Sequence, residues 1–231
     1  SQFSVYQDMP DSAGEKTRAF IKIQDGCNRF CSYCIIPYAR GRVRSKPLEE
    51  IKKEAASLAS NGYTEIVLVG INLSSYGTDC SLSLADAVAA VCETPEICRV
   101  RLGSLEPDHI TDQMLERFKS QEKFCPQFHL SLQSGSDATL KRMNRLYTKE
   151  EYKALVDTIF EIFDNPSITT DIMVGFAGES DEDFKQSLEF MKEIAFEKVH
   201  VFPYSVRKGT RAEKMQGHLD KKTKEERSRI M

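Results

Sequence analysis

Three thiols, Cys27, Cys31 and Cys34, fall in one short run, Gly26-Cys27-Asn28-Arg29-Phe30-Cys31-Ser32-Tyr33-Cys34, spaced as C-x3-C-x2-C. Thiolates on one loop can converge on a metal or a metal cluster. An electron-transfer 4Fe-4S centre normally has four protein ligands, so three leave one iron open. An open coordination position marks a catalytic rather than a structural metal site. A zinc loop completed by histidine or a fourth cysteine is one alternative, and chance clustering another. Zinc motifs usually read C-x2-C twice, and the chain has no second such pair. The remaining thiols, Cys80, Cys92, Cys98 and Cys125, are scattered singly among a total of 7 cysteines. That odd, sparse usage excludes a disulfide scaffold and points to a reducing compartment. Single cysteines in such places read as inert structural residues.

The elements that must position this loop follow from the rhythm of the chain. β-branched and apolar runs at 19–24, 65–69, 99–103, 127–133, 168–174 and 198–203 predict strands. Helical patterns lie between them at 47–61, 83–92, 107–118, 136–143 with 149–163, and 180–194. Pro47 suits a first helical turn, Gly62 follows a last one, and Ser180 with Asp183 has capping-box spacing. Strand and helix in alternation, without long hairpins, mean parallel strands joined by right-handed crossovers. Six units are too few for a closed eightfold barrel. The expected fold is therefore α/β, an open partial (β/α)6 barrel of parallel strands, with a doubly wound open sheet as the alternative. The cysteine run directly follows the first strand, at the end of the barrel where active sites are built.

Composition bounds the rest. The chain has 231 residues, 40% of them hydrophobic, enough for a real core. Its 32 Lys and Arg against 35 Asp and Glu exclude a wholly basic nucleic-acid coat, so any nucleic-acid contact must be a local patch. Mean hydropathy is −0.42 and no apolar stretch approaches the roughly 18 residues that span a bilayer, so no transmembrane helix and no membrane partner are expected. The start is polar and acid-bearing, unlike a signal or transit peptide, and a cytoplasmic location is expected. Residues 1–17 read as a polar lead-in or linker, 18–219 as the catalytic domain and 220–231 as a charged helical linker. Basic residues gather at two loops expected on the active-site face: Arg40, Arg42, Arg44 and Lys46 after the cysteines, and Arg207 and Lys208, with Arg211 and Lys214, after the last strand. Both suit a phosphate-bearing substrate. Lys141, Arg142, Arg145 and the basic residues of 221–229 read instead as solvated surface charge.

The cysteine spacing, at this place after the first strand, resembles the radical S-adenosylmethionine superfamily. The resemblance implies that Cys27, Cys31 and Cys34 hold one 4Fe-4S cluster and that S-adenosylmethionine chelates the open iron through its amino and carboxylate groups. An electron from the cluster, replenished by an external donor, would then release a 5'-deoxyadenosyl radical. No side chain beyond the cluster ligands is assigned a catalytic role. The other strand ends fit cofactor binding. Gly70 and Asn72 stand where the family contacts the methionine amino group, with Asn72 in place of the usual acid; a carboxamide oxygen still accepts a hydrogen bond from an ammonium. Ser104 and Glu106 end the third strand. Ser131 and Gln133 end the fourth, and strand alternation predicts that they share a face. Asp171 and Gly175 end the fifth, where glycine permits close approach to an adenine. Tyr33 could pack on that adenine or shield the cluster.

Longer strings resemble one branch, the tRNA methylthiotransferases: Cys31-Ser32-Tyr33-Cys34-Ile35-Ile36-Pro37-Tyr38-Ala39-Arg40-Gly41-Arg42-Val43-Arg44, Gly70-Ile71-Asn72-Leu73-Ser74-Ser75-Tyr76-Gly77 and His129-Leu130-Ser131-Leu132-Gln133-Ser134-Gly135-Ser136. The first is most similar to enzymes that methylthiolate carbon 2 of N6-threonylcarbamoyladenosine beside the tRNA anticodon. Relatives acting on isopentenyladenosine have related strings. The resemblance implies tRNA as partner, a monomer, a second 4Fe-4S cluster in a domain of the full-length parent, and an RNA-binding β-domain beyond residue 231. The segment Val206-Arg207-Lys208-Gly209-Thr210 departs from the branch in lacking its prolines. A cluster-bearing RNA-binding module without radical chemistry is the reading of a different class.

Overall fold

The structure is a computed structural model and describes residues 18–231; the lead-in, 1–17, lies outside the described residues. In chain order the elements are β1 (Arg18–Asp25), α1 (Ile36–Arg40), β2 (Arg44–Ser45), α2 (Leu48–Ser60), β3 (Glu65–Gly70), α3 (Leu84–Cys92), β4 (Arg99–Leu102), β5 (Ser104–Leu105), α4 (Asp112–Lys119), β6 (Gln127–Leu130), α5 (Asp137–Arg142), α6 (Lys149–Ile162), β7 (Ser167–Val174), α7 (Asp181–Ile194), β8 (Lys198–Pro203) and α8 (Lys221–Ile230). β1, β3 and β4 pair in parallel, and so do β5 to β8. Gly103 interrupts the third strand, but its N–H still donates to the Leu68 carbonyl at 2.8 Å, so the two halves continue as one curled wall. This is the expected six-unit partial barrel of parallel strands, with β8 at one open edge and β1, flanked at its end by the short β2, at the other.

Along β7 burial alternates, as in a sheet covered by helices on one face only. In β7, Ile168, Thr170, Ile172 and Val174 are buried under the helices, while Ser167, Thr169, Asp171 and Met173 are half-buried on the concave face. A doubly wound sheet would bury both faces. The helices start where local chemistry satisfies their free N–H groups: Ser83 with Asp86, Thr148 with Glu151 and Ser180 with Asp183 form capping boxes. Between α4, α6 and β6 the rings of Phe118, Phe124, Phe128 and Phe163 pack with centroids 4.9 to 6.0 Å apart. Truncating one fully buried ring such as Phe128 should cost about 3–5 kcal/mol.

Three local expectations differ from the structure. The helix expected over 107–118 is split: Pro107–His109 form one 3-10 turn, and α4 begins at Asp112 because Thr111 Oγ1 accepts the Met114 N–H at 3.2 Å. The strand expected over 127–133 stops at Leu130, and Gln133 adopts φ 70°, so Ser131 and Gln133 are not related by strand alternation. An unexpected short strand, β2, pairs antiparallel with the end of β1 and folds the basic loop back on the barrel.

Candidate active site

The cysteine loop leaves the end of β1 through Gly26, at φ 73°, where a Cβ would lie 1.9 Å from the Arg42 carbonyl oxygen, so only glycine fits. Backbone bonds clamp the loop from several sides. Cys27 N–H donates to Gly41 O at 3.0 Å, Ser32 N–H to Met143 O at 2.9 Å, and Ala212 N–H to Ser32 O at 2.8 Å. Cys27 and Cys31 are buried and Cys34 half-buried. Burial pushes the Cys27 and Cys34 thiols up, and each feels the neighbouring cysteines as like charges, so the three share one electrostatic neighbourhood.

Arg145 sits at the centre of this neighbourhood, although its place in a basic run reads as solvated surface. It is 8% exposed. Its guanidinium donates to both Glu106 carboxylate oxygens, at 3.2 and 2.5 Å, and to the Ser131 carbonyl at 3.0 Å. It also reaches Cys31 Sγ and Tyr33 Oη, each at 3.4 Å, and Tyr147 Oη at 3.0 Å. One side chain thereby joins Cys31, Tyr33, Glu106 and Ser131. No local signal in the sequence pointed to this role, because the carboxylate and the arginine are 39 residues apart.

Asn72 approaches from the other side. Its Nδ2 donates to Cys27 Sγ at 3.7 Å, and its backbone N–H to Gln24 Oε1 at 2.8 Å. Its Oδ1 is buried without a partner. Gly70 serves this placement, because a Cβ there would meet Gln24 Oε1 at 2.9 Å.

Other sequence-selected residues lie further out. Ser104 is exposed on the concave face, and Asp171 pairs with His129 Nε2 at 3.3 Å inside the barrel. Gln133 is tied by its backbone to Asp171 O and Met173 N, each at 2.9 Å, which brings the loop end to β7. At Gly175, φ 71°, the space a Cβ would fill is taken by the Lys224 side chain, 2.2 Å away, from α8. The glycine there makes room for the terminal helix.

The basic loops divide. Arg44 pairs with Asp25 at 3.6 Å and donates to the carbonyls of Arg40 and Arg42, while Lys46 pairs with Glu54. These two hold the loop to the barrel. Arg42 stacks over the Phe30 ring at 5.1 Å and Arg40 is exposed, both without an ion pair among the described residues. Arg207 and Lys208 line a cleft of about 490 Å³ with Ile35, Ser205 and Val206, next to Cys34. Arg142 and Arg227 also depart from the solvated reading: Arg142 pairs with Asp183 at 2.8 Å, and Arg227 is buried against Glu179.

Residues 21–191 match the family model of the radical SAM superfamily, SAM being S-adenosylmethionine. The chain belongs to the radical SAM superfamily. Among solved structures, this radical SAM chain is similar to coproporphyrinogen III oxidase (HemN) from Escherichia coli, with TM-score 0.66 and 14% identity, covering 91% of this chain and 50% of that one. It is likewise similar to methylornithine synthase (PylB), TM-score 0.62 and 17% identity, covering 87% of this chain and 57% of that one. Those likenesses concern the fold. In sequence it is 43% identical to threonylcarbamoyladenosine tRNA methylthiotransferase MtaB of Thermotoga maritima, over 98% of this chain and 52% of the relative. It is 47% identical to the MtaB of Chlamydia pneumoniae, over 85% and 47%. It is 40% identical to tRNA-2-methylthio-N(6)-dimethylallyladenosine synthase of Alkaliphilus oremlandii, over 98% and 49%. The chain spans about half the length of the curated relatives it matches.

The residues present suit the cluster and cofactor that the superfamily implies. Among the described residues, no three His, Cys, Asp or Glu side chains are drawn together as ligands of a single metal ion. The donor set is instead three thiols on one clamped loop, bordered by N–H donors from Arg29 at 3.4 Å, Asn72 and Arg145, as suits negatively charged cluster sulfurs. The Asn72 Oδ1 beside them is a buried acceptor without a partner, which suits a ligand donor there. Among the described residues no helix is long and apolar enough to cross a membrane.

Proposed function

We propose that the chain is the radical SAM core of an enzyme that methylthiolates carbon 2 of N6-threonylcarbamoyladenosine beside the tRNA anticodon. The observation that carries this reading is the clamped three-cysteine loop tied by Arg145 and Asn72 to the barrel strand ends, in a chain 43% identical to one MtaB and 47% to another. When bound, the cluster and S-adenosylmethionine would supply one-electron reductive cleavage of the sulfonium. The chain's own residues do the positioning. Cys27, Cys31 and Cys34 hold the irons. Asn72 Oδ1 accepts from the methionine ammonium. Glu106 neutralises the Arg145 guanidinium and, with the Ser131 carbonyl, holds it beside Cys31. Tyr33 closes the site, its ring edge-on to Phe176 at 6.2 Å, where burial keeps the phenol protonated. Ser104, Ser131, Gln133 and Asp171 line the approach to ribose and base.

In this reading Arg40, Arg42, Arg207 and Lys208 contact tRNA, the loop being braced by Arg44 and Lys46. The sulfur comes from a second cluster carried outside this chain, the electron from an external donor, and the enzyme works as a cytoplasmic monomer. Isopentenyladenosine is the second reading for the substrate, supported by synthases 40% to 42% identical over 96% to 98% of the chain.

The test is anaerobic reconstitution of this chain, followed by reductant, S-adenosylmethionine and threonylcarbamoylated tRNA. It should take up about four irons, as a single cluster requires. The mixture should yield 5'-deoxyadenosine and no 2-methylthio nucleoside by mass spectrometry. The triple Cys27→Ala, Cys31→Ala, Cys34→Ala variant should yield neither iron nor 5'-deoxyadenosine. The full-length parent, assayed on threonylcarbamoylated against isopentenylated tRNA, decides the nucleoside.

A further inference from the structure

We infer that Asn72 tunes the cluster as well as receiving the cofactor, by donating its amide N–H to the sulfur of Cys27. The inference rests on the radical SAM reading above and concerns why an amide, rather than the acid usual in the superfamily, stands at this position.

The geometry leaves the side chain little freedom. Asn72 is 5% exposed, its backbone N–H is spent on Gln24 Oε1 at 2.8 Å, and its carbonyl accepts the Ser75 N–H at 2.9 Å. Gln24 is itself fixed, donating Nε2 to the carbonyls of Asp25 and Gly26 at 2.8 Å each. The side chain then spans two partners of opposite need. Asn72 Nδ2 faces Cys27 Sγ, 3.7 Å away, and a sulfur ligating iron would accept from it and have no proton to donate. That orientation leaves Oδ1 buried and unpartnered. An unpaired buried acceptor is costly, and a ligand donor at that point removes the cost. An aspartate would offer the same acceptor to the ligand but no N–H to the sulfur, and would set a second negative charge beside a thiolate.

The electronic consequence follows from charge. A donor aimed at a cluster sulfur favours the more negative, reduced cluster and so raises its potential. Cys31 receives a comparable donor from Arg145 at 3.4 Å and Cys27 a second from the Arg29 backbone at 3.4 Å. Among the described residues no side chain donates to Cys34, which is half-buried.

The experiment compares anaerobically reconstituted wild-type chain with Asn72→Asp and Asn72→Leu, measuring iron content, midpoint potential by EPR-monitored titration, and binding of S-adenosylmethionine. All three should hold the same iron. Both variants should show a lower potential than wild type, with Asn72→Asp the lower of the two because it adds a negative charge. Asn72→Asp should keep cofactor affinity and Asn72→Leu should lose it, separating the sulfur contact from the cofactor contact. A wild-type chain that takes up no iron sinks the radical reading, and this inference with it. An iron-loaded wild type whose potential neither substitution moves overturns the inference alone. So does loss of iron from both variants, which would make Asn72 a folding residue.

Discussion

At the scale of single residues, the site turns on an arginine that is neither a cluster ligand nor exposed. Arg145 holds Glu106 in a fork of two N–H donors while touching Cys31 and Tyr33, a pattern that a lysine's point charge cannot reproduce. Arg145→Lys should therefore keep a positive charge yet lower cluster occupancy or cofactor affinity by about 10–100-fold, the usual cost of losing an outer-shell partner. Iron content and cofactor titration on the reconstituted chain check it; wild-type values for both would reduce Arg145 to a packing role. The neighbouring Arg142 makes a useful contrast. It serves Asp183, and its loss should appear in stability rather than in iron.

Elements decide which of the basic residues are available to a partner. β2 exists because Arg44 and Ser45 pair with Asp25 and Gln24 of β1, and Arg44 then bonds the carbonyls of its own loop. On the tRNA reading proposed above, the pair Arg40→Ala, Arg42→Ala should weaken tRNA binding and lower its salt slope by up to about two, with melting temperature unchanged. Arg44→Ala should instead lower the melting temperature. Equal effects of both on binding and stability would contradict this division. A second element-level device is the start of α7. Burial pushes the Asp183 carboxyl up, but hydrogen bonds from Ser136, Ser180 and Arg142 outweigh it and draw it down to about 2. A carboxyl held below its unfolded value contributes stability that is complete above the ordinary carboxylate range and lost as pH falls toward about 2. The contribution should be on the order of 2 kcal/mol. Acid unfolding of Asp183→Asn, compared with wild type, should lose pH sensitivity in that window.

For the whole molecule, the terminal helix is part of the barrel's packing. α8 lies against β7 and β8, buries Arg227 against Glu179, with Asp181 at 2.7 Å, and lays Lys224 into the gap at Gly175 while its Nζ donates to Tyr204 O at 3.0 Å. Burial nonetheless pushes the Glu179 carboxyl up, so the pair is strained by desolvation and depends on its partner. Arg227→Met should cost about 3–5 kcal/mol by leaving a buried carboxylate unpaired, and Arg227→Met with Glu179→Gln should recover much of it. Chemical denaturation of the single and double variants measures both. A single variant as stable as wild type would return α8 to a loosely attached linker.

The sequence by itself determined the cysteine loop, the six-unit rhythm and the strands to within a residue or two at β1, β3, β7 and β8. Those features are local: a motif of fixed spacing, alternating apolar residues, and caps three residues from their partners. It misjudged what depends on distant groups. Whether a basic residue is solvated or buried is set by a carboxylate far along the chain, as with Arg145 and Glu106 or Arg227 and Glu179. Strand alternation ended at Leu130 because the tight turn at Gln133 answers to β7, not to its own neighbours. Gly175 shows the same division: the sequence assigned its close approach to an adenine, whereas the packing of α8 fills that space with Lys224. Periodicity and caps are written within a few residues, whereas the pairing of buried charges exists only once the strands have brought their ends together.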